Sequence, residues 1–424
     1  MRPLSWRDAV RIVQSSPRIL PAGSHYSYGD SSLAPVMLDM RGLNRFLDWD
    51  EEENILTVEA GMRLRDALPW LLARKRFFLV TPGTKNITFG GAVASNVHGK
   101  DHHERGSFIH SVERLTILHA DGSIREYSRK DTGFNHFFAS YGLFGIILAV
   151  TLRVQSIPGS RILAEHVKTR NLRETLRVLK RMEERLPYTV AWVDTTAPPA
   201  ERGRGIVMGG KFISGWRSLK RQKRVPFGLP SFVMASRSVI RMLNAAYYGS
   251  HASGRRVESV DDFFYPLDSL EGWNKVYGRG FFQYQFAIPW EYAERGVGEA
   301  LRLLAVYGLG SFVSVLKTTG VEKRRGVFDF TLPGVSFAMD IPLTPRAVNF
   351  AREMDQLVLR YGGRVYVTKD SLLSPEVFDR MYAREKRLFA RLKKRYDPDW
   401  KFVSDQAVRL GLAPREREDT SFEG

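Results

Sequence analysis

The sequence predicts an α+β protein of two or three domains, and three observations carry that expectation. Strand-like and helix-like apolar patterns alternate up to about residue 155. Beyond Pro158, strand-like runs recur with single amphipathic helices between them, the pattern of an antiparallel sheet covered by helices. The chain has 424 residues, 43% of them apolar. At about 150 residues per domain that is enough for two or three cores, and it is too apolar for a disordered chain.

Residues 18–20 read as a short strand entering a glycine-containing segment at 21–30, and 36–39 as a second strand. Residues 43–49 read as a short turn or helix, and 55–60 as a strand ended by Gly61. Leu64, Ala67, Leu68, Leu71 and Leu72 recur at helical spacing within 63–74. Residues 77–80 form a strand running into Pro82, Gly83 and Thr84. The runs 115–120 and 124–127 flank Asp121-Gly122, a hairpin signal. Residues 146–155 read as a buried strand. Next come a helix at 172–186 and strands at 189–194 and 205–212, then a basic and apolar stretch from 215 to about 248. Strands at 281–288, 311–317 and 335–341 alternate with helices near 290–307 and 345–361. A run at 365–370 and a helix around 375–394 follow.

Charge and cysteine content narrow the function. Lys and Arg number 64 against 46 Asp and Glu, a formal charge of +18, and there is no Cys. That excludes disulfides, thiolate metal sites, iron–sulfur clusters and a cysteine nucleophile. The positive excess points to an anionic partner. No apolar run reaches the roughly 18 residues of a membrane span, and the first residues lack the apolar centre of a signal peptide. The expected location is cytoplasmic, with peripheral membrane contact open. Arg217, Lys220, Arg221, Lys223 and Arg224 adjoin an apolar run at 226–234. Such a pairing suits an anionic membrane surface or a polyprenyl phosphate lying in it, and equally a solvated loop. No nucleic-acid-binding signature occurs, so no nucleic acid is expected.

The densest chemistry lies at 81–103, where Pro82, Gly83, Gly90, Gly91, Gly99 and several small residues cluster. Glycines let backbone approach a ligand and present N–H donors. The segment matches neither a dinucleotide fingerprint nor a phosphate loop, and a turn-rich structural loop would share its composition. His98, His102 and His103 suggest metal, but adjacent histidines, Gly99 in the spacing and the lack of Cys argue against it. No metal is expected.

These residues carry a resemblance. Ser27-Tyr28-Gly29-Asp30, Pro82-Gly83-Thr84, Gly90-Gly91-Ala92 and His98-Gly99-Lys100-Asp101-His102-His103 resemble the flavin-binding (PCMH-type) domain of the vanillyl-alcohol-oxidase superfamily. The run from His98 to His103 is similar to the decaprenylphosphoryl-β-D-ribose 2′-oxidase family. Later segments resemble it too, among them Ala191-Trp192-Val193-Asp194, Phe264-Tyr265-Pro266, Tyr366-Val367-Thr368-Lys369-Asp370 and Phe402-Val403-Ser404-Asp405. The resemblance implies a two-subdomain FAD-binding domain from 1–156, completed by 364–424, and an antiparallel-sheet substrate (cap) domain at 157–363. It implies FAD held non-covalently, with His25, beside Tyr26 at the position where some relatives link the flavin, as the residue to watch. Backbone at Gly23, Ser24, Ser27, Tyr28, Gly29, Asp30, Pro82, Gly83 and Thr84 would hold the pyrophosphate. Gly90, Gly91, Ala94, Asn96, His98 and Gly99 would run beside the ring and ribityl chain, with Gly145, Ile146 and Ile147 at the adenine side and Tyr366 near the ring.

The resemblance further implies oxidation of a secondary sugar hydroxyl by hydride transfer to flavin N5. The donor would be a polyprenyl-phosphate sugar, and a separate NAD(P)H-dependent reductase would complete an epimerisation in making an arabinan precursor for the cell wall. Lys369, Lys317, Gln285, Tyr28 and His98 are its implied catalytic group. Lys369 would serve as base, or with Lys317 would only hold phosphate or developing negative charge. Gln283 and Gln285 share one face of a strand by period two. Trp192, Tyr265, Gln283, Ser336 and Ala338 are the implied substrate wall. Ala338 departs from the mycobacterial members, which carry a Cys there, so inhibitors that capture that thiol would have no target. A sugar or aldonolactone oxidase on a soluble substrate is the rival enzyme. The non-enzyme rival is a basic membrane- or nucleic-acid-binding protein with a degenerate flavin fold.

Overall fold

The structure, a computed structural model, describes residues 1–219, 223–224, 231–278 and 280–414. Lys220 and Arg221 of the basic run, and the side chains of Lys223 and Arg224, lie outside the described residues. Arg217 is described, and its guanidinium donates to Val257 O at 3.0 Å.

Two antiparallel sheets organise the chain. The first contains β1 (Phe46–Asp50), β2 (Ile55–Glu59), β3 (Arg76–Phe78), β4 (Val112–Leu118), β5 (Ile124–Ser128) and β6 (Ile146–Ser156). Its order is β1-β2-β6-β4-β5, with β3 also on β6. Helix α1 (Leu64–Ala73) buries the five apolar residues that its spacing predicted. The segment expected as a turn or helix at 43–49 is instead mostly edge strand. Phe46 and Leu47 are exposed there, so apolar alternation is missing. Packing supplies the reason for the strand: Trp49 meets Trp70 of α1 edge-on, with centroids 5.3 Å apart.

The second sheet has eight strands: β7 (Arg161–Thr169), β8 (Tyr188–Val193), β9 (Gly205–Ile213), β10 (Gly254–Ser259), β11 (Phe281–Pro289), β12 (Ser314–Thr319), β13 (Gly334–Pro342) and β14 (Arg364–Val365). Their order is β10-β7-β9-β8-β12-β13-β11-β14, antiparallel throughout. β7 and β10 escaped the sequence reading, as did the helix Arg237–Ser250 inside the basic and apolar stretch. Helices α2 (Leu172–Glu183), α3 (Ala293–Val306) and α4 (Pro345–Arg360) pack on this sheet. One continuous apolar cluster runs through both sheets.

The C-terminal segment returns to the first sheet through buried polar contacts. In α5 (Pro375–Tyr396), Lys393 donates to Asp397, to Leu143 O and to Phe402 O at 2.7, 2.9 and 2.6 Å. Arg409 forks onto Asp30, both contacts at 2.8 Å. Gly29 sits between these partners, where an added Cβ would lie 1.8 Å from Asp370 O. Because that obstacle is backbone, Gly29→Ala is expected to displace 368–371. Overpacking of this kind costs about 1–3 kcal/mol or more. A fall in melting temperature would show it, and an unchanged melting temperature would argue against this packing.

Candidate active site

A cavity of about 690 Å³ opens between the glycine-containing backbone of the first sheet and one face of the second. The cradle side is Gly23–Tyr28, Pro82–Thr84, Gly90, Gly91 and Ala94. The opposite wall is sheet: Gln283 and Gln285 from β11, Ala338 from β13, Val315 and Lys317 from β12. Register explains the wall. Gln285 pairs with Ala338, Ala338 with Val315, and Val315 with Trp192, so these four form a row across one face. Tyr366, Thr368 and Lys369 close the cavity from the C-terminal return. Tyr366 donates to Ser95 O at 3.0 Å and stacks on Phe330 at 4.3 Å.

Several ionisable groups in and behind the wall titrate near neutrality. Burial pushes Lys369 down to about 8, with the Asp340 carboxylate pulling up and Lys317 adding to the fall. Burial also lowers Lys317 to about 8, opposed by Asp101. Burial raises both Asp340 and Asp101 to about 7. His98 is held well below the usual imidazole range by burial and then by Lys317, His102 and Lys369. Its ring is therefore neutral at physiological pH. Gln285 Nε2 donates to Ser336 Oγ at 3.0 Å and faces His98 Nε2 at 3.3 Å. With the amide so placed, His98 Nε2 accepts and its proton sits on Nδ1, which has no protein partner. The Lys369 ammonium lies 3.9 Å from the Tyr28 ring centroid, a cation–π contact. Perturbed groups gathered in one cavity mark a site of proton chemistry.

The structure brings most of the sequence-predicted residues to this cavity and places eight elsewhere. Asp30 does not reach it, because Arg409 holds its carboxylate. Gly29 packs on Asp370, and Gly99 under Asp101 and Thr81 O. Asn96 bridges Asp329 and the Ile109 N–H, at 2.7 and 2.9 Å. Ile146 faces the apolar cluster of Leu38, Leu118 and Leu148, so period two turns Ile147 to the cavity instead. Tyr265 is fully buried with its hydroxyl 2.7 Å from Thr81 Oγ1. Trp192 ends the cross-sheet row, donating to Phe312 O at 2.9 Å. Ser336 stands behind the wall as acceptor for Gln285.

Tyr141 and Thr88 line the cavity but were not singled out from the sequence, and Thr368, Trp273 and Asn274 line it although sequence reasoning assigned them no role of their own. For Tyr141 a signal existed, the glycines at 142 and 145. Left-handed backbone at Ala139 and Tyr141, φ 48° and 54°, bends the chain to the cavity there.

Comparison with known proteins places the chain among flavin-binding oxidoreductases. The FAD binding domain family matches residues 6–128. Over 96% of this chain and 92% of the relative, the chain is 30% identical to a decaprenylphosphoryl-β-D-ribose oxidase of Mycolicibacterium smegmatis. It is 25% identical to an L-gulono-1,4-lactone dehydrogenase of Mycobacterium tuberculosis, over 97% of this chain and 95% of that one. An L-gulonolactone oxidase of Mus musculus is 29% identical over only 35% of this chain and 34% of its own.

The residues present fit the flavin that the matched domain binds. A Cβ at Gly83 would project into open space within the cradle. Ser24 Oγ and His98 Nδ1 are buried on lining residues without protein partners, as polar groups awaiting a ligand are. Among the described residues no group of three or more potential metal ligands occurs, and no helix is long and apolar enough to cross a membrane. The chain belongs to the decaprenylphosphoryl-β-D-ribose oxidase family and is an FAD-dependent oxidoreductase acting on alcohol groups.

Proposed function

We propose that the protein oxidises the C2′ hydroxyl of a polyprenylphosphoryl pentose, such as decaprenylphosphoryl ribose, to a ketone. The step is the first half of an epimerisation that a separate NAD(P)H-dependent reductase completes. The single observation behind this reading is a cavity into which two half-buried lysines near neutrality project, Lys317 from the sheet wall and Lys369 from the C-terminal return, across from a glycine cradle. End-to-end similarity to a decaprenylphosphoryl-β-D-ribose oxidase supports it. The FAD-binding domain spans 1–156 and is completed by 364–424, with the substrate domain at 157–363. The protein works at an anionic membrane surface, where its lipid substrate lies.

Bound FAD supplies the acceptor for the carbinol hydride. Residues 23–28, 82–84, 88, 90, 91 and 94, with Tyr141, Ile147 and Thr368, hold it. Lys369 Nζ takes the hydroxyl proton, and the Tyr28 face keeps the resulting ammonium in place. Lys317 holds the phosphate as a cation. Gln285 fixes the His98 ring so that the Nδ1–H orients a substrate oxygen. The pH dependence follows from these two lysines. Lys369 must be neutral, so activity rises as pH climbs through about 8. Lys317 must be charged, so activity falls as pH passes about 8. A narrow bell in kcat/KM is expected from anaerobic flavin reduction across pH. A flat profile would contradict the assignment.

Ala338→Cys tests the site's location, because the chain has no other Cys. Its thiol would line the cavity wall. It is expected to react with Ellman's reagent and to be protected by polyprenylphosphoryl ribose. Reaction at the same rate with and without that compound would place the substrate elsewhere. The full-length similarity to an L-gulono-1,4-lactone dehydrogenase supports a second reading, oxidation of a soluble sugar lactone. Flavin bleaching by L-gulono-1,4-lactone but not by polyprenylphosphoryl ribose would decide for it.

A further inference from the structure

We infer that Arg409 is a positioning residue of this site: it ties the loop that carries Tyr28 to the turn that carries Lys369, and so sets where the Lys369 amine stands. The inference rests on the base role proposed for Lys369. Arg409 ends the short helix Asp405–Arg409. Its Nε and Nη2 fork onto the Asp30 carboxylate, both at 2.8 Å. Nη2 also donates to Asp370 Oδ2 at 2.9 Å, and Nη1 to Leu373 O at 2.7 Å. Asp30 follows Tyr28 and Gly29 in the chain, and Asp370 directly follows Lys369. One planar guanidinium therefore fixes the spacing of two segments from opposite ends of the sequence. Gln406 of the same helix holds the turn as well, its Nε2 donating to Val367 O at 2.9 Å.

The Lys369 turn does not need Arg409 for its own shape. Lys369 N–H donates to Tyr366 O at 2.9 Å, and Asp370 Oδ1 accepts from the Leu372 and Leu373 N–H groups at 2.9 and 2.8 Å. What Arg409 adds is a link across the seam. The backbone link there is long, Tyr28 N–H to Thr368 O at 3.3 Å, and Gly29 rests directly on Asp370 O. Charge-assisted hydrogen bonds are about twice as strong as neutral ones, and a guanidinium forked on a carboxylate also fixes direction. The seam sets the contact that matters to the site: Lys369 Nζ lies 3.9 Å from the centroid of the Tyr28 ring, and both residues line the cavity. Arg409, Asp30 and Asp370 stand outside the cavity lining, so Arg409 acts through the residues it places. A base must stand within hydrogen-bond reach of the hydroxyl whose proton it takes, and a misplacement of about 1 Å can cost about 10²-fold in rate.

The test compares Arg409→Met and Arg409→Lys with the parent, all loaded with excess FAD, in anaerobic rapid-mixing reduction of the flavin by farnesylphosphoryl ribose. Arg409→Met is expected to lower the limiting reduction rate by about 10–10²-fold, with the substrate dissociation constant within about threefold of the parent. Added to Lys369→Met, it should cause no further loss, because the group it positions is gone. Arg409→Lys keeps a cation between the two carboxylates but cannot fork, so its rate should fall between the parent and Arg409→Met; it carries the test if Arg409→Met fails to fold. A second readout needs no substrate: carbon–proton NMR of lysine-labelled holoenzyme, with the Lys369 signal assigned by its absence in Lys369→Met. The Tyr28 ring should displace that signal upfield in the parent, and the displacement should shrink in both Arg409 variants. Rate losses that multiply in the double variant, or a Lys369 signal that stays in place, overturn the proposal and leave Arg409 a purely structural role. A shrunken displacement in a protein whose Lys369→Met variant reduces its flavin at the parental rate supports the tie and sinks the base role instead.

Discussion

Replacing Lys369 with methionine is expected to lower kcat/KM by about 10²–10⁴-fold, the usual contribution of a positioned general base. Flavin should still bind, because the cradle at 23–28 and 82–84 presents backbone donors that do not depend on the Lys369 side chain. Methionine keeps most of the apolar stem on the Tyr28 ring, where the ammonium now lies at 3.9 Å. Burial has already pushed this amine to about 8, so removing it should relieve strain rather than create it. The variant is therefore expected to match the parent in melting temperature while losing turnover. Rapid-mixing reduction of the bound flavin separates the effects: the reductive rate should collapse while the dissociation constant changes little. A variant that reduces its flavin at the parental rate would remove Lys369 from the chemistry.

A larger effect on stability is expected from Glu322→Ala. This carboxylate sits in the connection between β12 and β13 with its side chain 1% exposed. Oε1 accepts from His102 at 2.8 Å, from the Ser107 N–H at 3.1 Å and from Thr331 at 3.3 Å. Oε2 pairs with His110 at 2.7 Å. Because the Gly320 N–H donates to His102 Nδ1 at 3.1 Å, the His102 proton sits on Nε2 and points at Glu322. Burial opposes the charge of Glu322, but these hydrogen bonds outweigh it and hold the carboxyl well below its usual range. His102 of the dense glycine segment and His110 just beyond it thus clasp a loop of the opposite sheet. That loop carries Phe330, which stacks on Tyr366 and lies 5.2 Å from His98. Removing the carboxylate leaves several buried donors unpaired, each at a cost of about 1–3 kcal/mol. Glu322→Ala should lose flavin and melt far below the parent. The sign of the pH effect follows from the lowered carboxyl: its stabilisation is complete above about 4.3, the ordinary value, and declines as pH falls below that. The parent should therefore lose stability in mild acid more steeply than the variant. Equal melting temperatures for the two proteins would contradict the clasp.

Local patterns in the sequence were legible where one face of one element decides the outcome. The five apolar residues of α1 fall at helical spacing and are all buried. Gln283 and Gln285 alternate with aromatics, and in the structure both line the cavity. What escaped depends on partners distant along the chain. Asp30 reads as part of a ligand loop until Arg409, 379 residues away, is seen to hold it. Tyr265 reads as a pocket wall until Thr81, 184 residues away, takes its hydroxyl. Ile146 and Ile147 cannot be told apart in an all-apolar run, because no alternation marks which faces the cavity.

The most direct measurement is anaerobic titration of the purified, flavin-loaded protein with decaprenylphosphoryl ribose and, separately, with L-gulono-1,4-lactone. Full bleaching of the oxidised flavin band by the lipid-linked sugar, with formation of its 2′-keto product and no bleaching by the lactone, is the expected result. Bleaching by the lactone alone, or by neither, would contradict it.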